Sequence, residues 1–372
     1  MKHIRLLSLR MDRLVAAFAL PFAASLAAHA AGGSFIGPLN TITTVSSTVP
    51  ANGDVNPYGI VSVPINRGKL HKGQILVSNF NNSNNAQGTG TSIVEIAADG
   101  SMSLFAQIDA TKIHCPGGVG LTTALVALRS GFVIVGSLPT ADGTAATAKA
   151  GCLIVLDSWG NVAETIANSA INGPWDMTAF DADSLAVLFV TNVLNGTVAA
   201  NGEVVNKGTV VRLLLAIPDG FRPILIDQTV IGSDFPERTD PNALVIGPTG
   251  VAFDGFTGTL YVADSLNNRI AAIHDALFRF NSAGPGETIS EDGDLNDPLG
   301  LTLTPGHHVL AANGDDGNLV EIDPVTGRQV AEKLVDNSGG PPPGSGALFG
   351  LITVSNGVYF VDDATNTLNL LH

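Results

Sequence analysis

This chain is short of positive charge. Among 372 residues there are 18 Lys and Arg against 33 Asp and Glu, and only 14% of the residues are charged at all. An acidic surface of this kind repels nucleic-acid phosphates and anionic lipid headgroups, so neither is expected as a partner. Cysteine is scarcer still, with Cys115 and Cys152 the only two. After residue 30 no long apolar run escapes charges or turn residues, so no membrane insertion is expected. No stretch keeps the 3.6-residue period of a long helix, which argues against a mixed α/β fold.

The one long apolar run lies at the start. Lys2, Arg5, Arg10 and Arg13 precede "LVAAFALPFAASLAA", and Ala28-His29-Ala30 has the small-x-small form of a leader cleavage site. Residues 1–30 thus read as a signal peptide, cut near Ala30, with Met11 an alternative start. The expected product is exported, to the periplasm or beyond the cell. It keeps 14 basic and 32 acidic residues, a net charge of −18. In that oxidising setting Cys115 and Cys152 are expected to pair. The loop they close corresponds to roughly 4 kcal/mol in the chain-entropy model.

What the chain does have is glycine, 42 residues of it, and a repeat. The pattern is Pro-x-Gly, a short apolar strand, a turn, a second strand ending in Asn or Asp, then a third strand. Its fullest copy is "GPTGVAFDGFTGTLYVADSLNNRIAAI". Six copies start their anchors at Pro57, Pro116, Pro174, Pro248, Pro298 and Leu348, with spacings of 59, 58, 74, 50 and 50. Each has room for four short antiparallel strands, which describes a propeller blade. The last copy stops at His372 one strand short, and "LNTITTVSS" near the front supplies the missing outer strand. Pairing the two ends would close the ring and remove an exposed edge. The expectation is a single all-β, six-bladed β-propeller domain over residues 31–372, acting as a monomer.

The fullest copy resembles the NHL repeat, a propeller-building unit. That resemblance implies a six-bladed ring and no particular chemistry, since the fold hosts enzymes, scaffolds and binders.

Anchors and second-strand ends should share one face. The anchor centres are Tyr58, Gly117, Trp175, Thr249, Leu299 and Phe349, and the strand ends are Asn79, Ser137, Asn192, Asp264, Asn313 and Asp362. The following turns are short in blades four to six but long in blades one to three: "NNSNNAQGTGT", "LPTADGTAATAKAG" and "VLNGTVAANGEVVNKG". Three long polar loops on one face suit a binding mouth. Its expected lining is Tyr58, Asn79, His114, Trp175, Asn192, Asp264, Asn313, Phe349 and Asp362. The oxygen-bearing members have a competing role as turn caps.

The expected function is therefore a non-catalytic module binding an unknown small molecule or protein. The alternative is a metal-assisted lyase or lactone hydrolase at the channel mouth. Gluconolactonase-type enzymes share the six-bladed ring, and their pattern places a divalent metal on the axis, held by a Glu, two Asn and an Asp. No anchor centre here carries such a group. Amidating-enzyme lyase domains, which resemble NHL propellers, hold zinc with histidines. This chain has no His-x-His or His-Glu-x-x-His spacing, and the adjacent His307 and His308 should point opposite ways. Asp292, Asp294 and Asn296 begin a calcium-loop spacing, but its twelfth position is Leu303 rather than Glu. No metal site or cofactor is expected, calcium or zinc being the candidates if one is held, and catalytic residues cannot be assigned.

Overall fold

A computed structural model describes residues 33–241 and 243–372, so the leader reading of residues 1–30 lies outside the described residues. Ser34–His372 forms one unit, a ring of six antiparallel sheets.

Blade one holds β2 (Val55–Ser62), β3 (Ile75–Asn81), β4 (Ser92–Ile96) and β5 (Met102–Gln107). Blade two holds β6 (Leu121–Ala127), β7 (Val133–Ser137), β8 (Cys152–Leu156) and β9 (Val162–Ile166). Blade three holds β10 (Pro174–Asp181), β11 (Leu185–Asn192), β12 (Val205–Ala216), β13 (Ile224–Asp240) and a fifth strand, β14 (Leu244–Ile246). Blade four holds β15 (Pro248–Asp254), β16 (Thr259–Asp264), β17 (Arg269–Ile273) and β18 (Glu287–Glu291). Blade five holds β19 (Pro298–Leu303), β20 (Val309–Asn313), β21 (Asn318–Ile322) and β22 (Gln329–Leu334). Blade six is β23 (Leu348–Val354), β24 (Gly357–Asp362), β25 (Thr367–Leu371) and β1 (Ile42–Ser47). The ring closes as expected: β1 pairs antiparallel with β25 from Ile42↔Leu371 to Ser47↔Thr367.

Middle strands read as continuous apolar runs because both their faces are covered by neighbouring blades. "VIVGS" and "CLIVL" are buried at every position, as two-sided burial demands. Between each pair of adjacent blades lies one apolar layer, for example Leu153, Val155, Leu188 and Leu213 between blades two and three.

The Pro-x-Gly anchor has a packing cause. Gly250, Gly300 and Gly350 sit where one inner strand meets the next, and a methyl on Gly350 would overlap the Tyr58 carbonyl oxygen of blade one. Gly350→Ala is expected to lower stability by about 1–3 kcal/mol through overpacking, read as a lower denaturation midpoint at unchanged m-value.

Blade two departs from the anchor alignment. Elsewhere the first anchor residue faces the second-strand end, as in Pro57↔Asn79 and Pro248↔Asp264. In blade two Leu121 faces Ser137, so Pro116 and Gly117 lie ahead of the strand. Gly118 takes φ +109 there, a turn that only glycine makes easily, and the true strand starts five residues after Pro116. The third long insert also differs from a simple loop. It contains a helical turn, Thr197–Ala200, and then joins the ladder through Val205↔Glu237.

Candidate functional site

The register brings anchors and second-strand ends to one face, and the long inserts form a collar there. The first two bond to each other: Thr140 N donates to Gly88 O at 3.0 Å and Thr140 Oγ1 to Gln87 O at 2.5 Å. The third lays its helical turn against Ala145–Thr147 of the second. The Cys115–Cys152 disulfide, with Cα atoms 5.4 Å apart, ties the base of the second insert to the segment ahead of β6.

Inside the collar the axis is plugged. Tyr58 stacks on Phe349 at 3.8 Å and on Phe80 at 4.6 Å, and Trp175 meets Tyr58 and Phe80 edge-on at 5.8 Å. Tyr58, Trp175, Phe349 and Leu299 are all buried, and the edge-on contacts of Trp175 have a geometry that aromatic quadrupoles favour. Burial pushes the Tyr58 hydroxyl well above its ordinary pKa, and the nearby charge of Asp363 adds to this. The plug separates a polar mouth of about 340 Å³ on the anchor face from an inner-strand cavity of about 350 Å³ on the other side.

Tyr58, Leu299 and Phe349 floor the mouth. Around them stand Asn56, Asn81, Arg238, Asp240, Asp297, Asp315 and Asp363. Asn56 and Asp297 each precede an anchor proline and take left-handed φ values of 63 and 52, conformations that Asn and Asp tolerate better than most residues. They are clamped there by Asn366 and Asn268, whose side-chain oxygens accept from Asn56 N and Asp297 N at 2.7 Å each. Asn56 and Asn81 are 5% and 2% exposed, yet the Oδ1 of each lacks a hydrogen-bond partner. A buried acceptor left unpaired is costly and marks a place where a ligand or water is wanted. Burial raises Asp297 to about 7, helped by the charges of Asp315 and Asp240 and opposed by Arg238. Asp363 also rises to about 7, by burial and by its neighbour Asp362. Arg238 Nη1 reaches Asp240 at 2.7 Å.

The structure distributes the sequence-derived candidates as follows. Tyr58 and Phe349 line the mouth and Trp175 belongs to the plug beneath it. Asn79, Asn192 and Asn313 are buried clasps on the segment that leads into their own inner strand. Asn79 Nδ2 donates to Thr48 O, Asn313 Nδ2 to Asp294 O, and Asn192 Oδ1 accepts from Gly173 N. Asp264 binds Arg269 and Asn267, while Asp362 caps its own turn through Thr365 N. His114 is exposed, with its N–H near Thr165 on β9, the outermost strand of blade two. His307 and His308 face separate carboxylates, Asp254 and Glu321. Missed by the sequence reading were Asn56, Asn81, Asp297 and Asp363. The available signal was Asn-Pro and Asp-Pro at two anchors and a doubled Asp at the end of β24.

An axial metal of the gluconolactonase pattern does not fit these residues. The level that would present a Glu, two Asn and an Asp presents Tyr58, Trp175, Leu299 and Phe349, packed against one another. Among the described residues no three His, Cys, Asp or Glu side chains gather into a metal-holding group.

No protein-family model and no curated protein matches the chain. Solved structures do. A gluconolactonase from Xanthomonas campestris aligns over 92% of both chains at 14% identity and TM-score 0.54. A calcium-binding protein, regucalcin, from Agrobacterium tumefaciens aligns over 88% of this chain and 93% of its own at 13% identity and TM-score 0.55. At such identities the likeness is one of fold: this chain shares with them the six-bladed ring.

Proposed function

We propose that the anchor-face mouth is the active site of a hydrolase acting on a small polar cyclic ester. The observation that carries this reading is a pair of carboxyls, Asp297 and Asp363, both held at about 7 in one mouth. Groups poised near neutral pH are suited to proton transfer. In this scheme Asp297, ionised, takes a proton from a water as its oxygen adds to the ester carbonyl carbon. Arg238 faces the oxyanion that forms. The carbon–oxygen ring bond then breaks, and Asp363, protonated, gives its proton to the leaving oxygen. One water is consumed and a hydroxy acid is released.

A panel of five- and six-membered lactones, followed by acid release, tests this. Turnover should peak near pH 7, where one carboxyl of the pair is ionised and the other protonated, and fall on either side, giving a bell. Asp297→Asn should lower kcat by about 100-fold or more with an unchanged melting temperature. If no lactone is turned over while polyhydroxylated ligands still bind, the mouth is a non-catalytic binding site. The NHL-like character of the repeat and the export of a monomer to the periplasm or beyond belong to the same proposal. They rest on the anchor pattern and on residues 1–30.

A further inference from the structure

The cavity beyond the plug is a blind tube. It runs along the second halves of all six inner strands, past Ile60, Leu125, Met177, Val251, Leu301 and Leu351. Its anchor-side end is shut by the aromatic plug. From Asp176 to Asp181 the inner strand of blade three spans on the order of 16 Å, which sets the depth.

Among the described residues, only two side chains lining this tube ionise, Asp176 and Asp181. Asp181 is at the open rim and is engaged by Arg129, whose backbone N–H donates to Asp181 Oδ2 at 2.6 Å. Asp176 is at the blind end, next to Trp175 of the plug. Blades one, four, five and six have glycine at this register: Gly59, Gly250, Gly300 and Gly350. Blade two places Thr123 there, turned onto Trp175 O. In blade three alone a carboxylate enters. Asp176 Oδ2 accepts from Val251 N of the next blade at 2.9 Å, and among the described residues no Lys, Arg or His pairs with it. Asp176 is half-buried and lines the tube.

We propose that this tube is a second ligand site, taking a primary ammonium group on a short unbranched apolar body, inserted head first so that the ammonium pairs with Asp176. The argument is one of complementarity. A carboxylate held only by backbone N–H donors at the blind end of a cavity still carries a desolvation cost, and a cation whose tail packs on the aliphatic side chains of the tube relieves that cost while burying surface. An anionic or bulky polar ligand would meet the same carboxylate unfavourably. Burial alone holds the Asp176 carboxyl up at about 7, opposed only by backbone N–H donors. The site is therefore competent mainly above that pH.

The probe is n-hexylammonium, titrated by calorimetry against the folded chain, with n-hexanoate and n-hexanol as controls. Hexylammonium should bind at least tenfold more tightly than hexanoate, and its affinity should rise roughly tenfold from pH 6 to pH 8, following the ionised fraction of Asp176. Asp176→Asn should remove the preference for the amine while leaving hexanol binding, which reports an intact tube. Ile352→Trp, at the open half of the tube, should weaken amine and alcohol alike. Asp297→Asn, in the mouth, should change neither, so the two sites fail independently. Equal affinity for hexylammonium and hexanoate, no binding of the amine, or undiminished preference in Asp176→Asn would each overturn the proposal.

Discussion

Replacing Arg269 with alanine is expected to cost about 3–5 kcal/mol of folding stability, since it leaves a buried carboxylate without its cation. Asp264, at the end of β16, is 0% exposed. Its Oδ2 accepts from Arg269 Nε at 2.7 Å and from Asn267 Nδ2 at 2.9 Å, while its Oδ1 has no partner. Every arm of the guanidinium is used: Nη1 donates to Thr288 Oγ1 at 2.8 Å and Nη2 to Pro285 O at 2.7 Å. Arg269 therefore joins three strands' worth of blade four, from β16 through β17 to β18. A lysine could supply the charge but not the fork, so Arg269→Lys should recover only part of the loss. The double variant Asp264→Asn with Arg269→Met should be less destabilised than Arg269→Ala, because no charge is then stranded. Denaturant midpoints at constant m-value measure this. Equal costs for the single and double variants would show that the lost packing of the arginine stem, not the carboxylate, dominates.

The same hairpin shows what sequence can and cannot convey. Strand, turn and strand were legible in "GTLYVADSLNNRIAAI" because alternation and turn chemistry are local. A turn-cap role for Asp264 was the local expectation, but its tie to Arg269 crosses the hairpin, and the depth of burial that makes the pair matter comes from neighbouring blades. Blade two illustrates a second limit. Pro116-Gly117 looks like an anchor, yet the register is fixed by Leu121↔Ser137 once Gly118 has bent the chain. The mouth illustrates a third. Asn56, Asp297 and Asp363 each sit one residue from a recognised repeat position. Their proximity arises only when blades one, five and six meet around the axis, and the charges acting on Asp297 include Asp240 and Arg238 of blade three. Asp176 was visible as a break in the anchor, Pro-Trp-Asp in place of Pro-x-Gly, but its meaning depends on a tube that no single blade contains.

Tyr58 is the residue on which the two ends of the axis depend, and Tyr58→Ala should cost about 3–5 kcal/mol by the cavity it leaves. Its ring is 1% exposed and touches Phe80, Trp175 and Phe349 together, so no single neighbour can move in to fill the space. Truncation should also join the mouth to the inner tube and admit water beneath Asp363. The Asp363 carboxyl is held at about 7 chiefly by burial, so hydration should return it toward the ordinary carboxylate range. The sign follows. A carboxyl raised in the folded state gives stability that is present at low pH and lost as pH rises toward 7. The deficit of Tyr58→Ala should therefore be larger near pH 4 than near pH 8, where wild type has already paid for ionising Asp363. Tyr58→Phe keeps the plug and removes only a buried hydroxyl, so it should cost no more than about 1 kcal/mol and leave the Asp363 titration in place. Carboxyl carbon shifts followed by NMR across pH 3–9 distinguish the two variants. An Asp363 midpoint that stays near 7 in Tyr58→Ala would mean that the plug is not what keeps Asp363 buried.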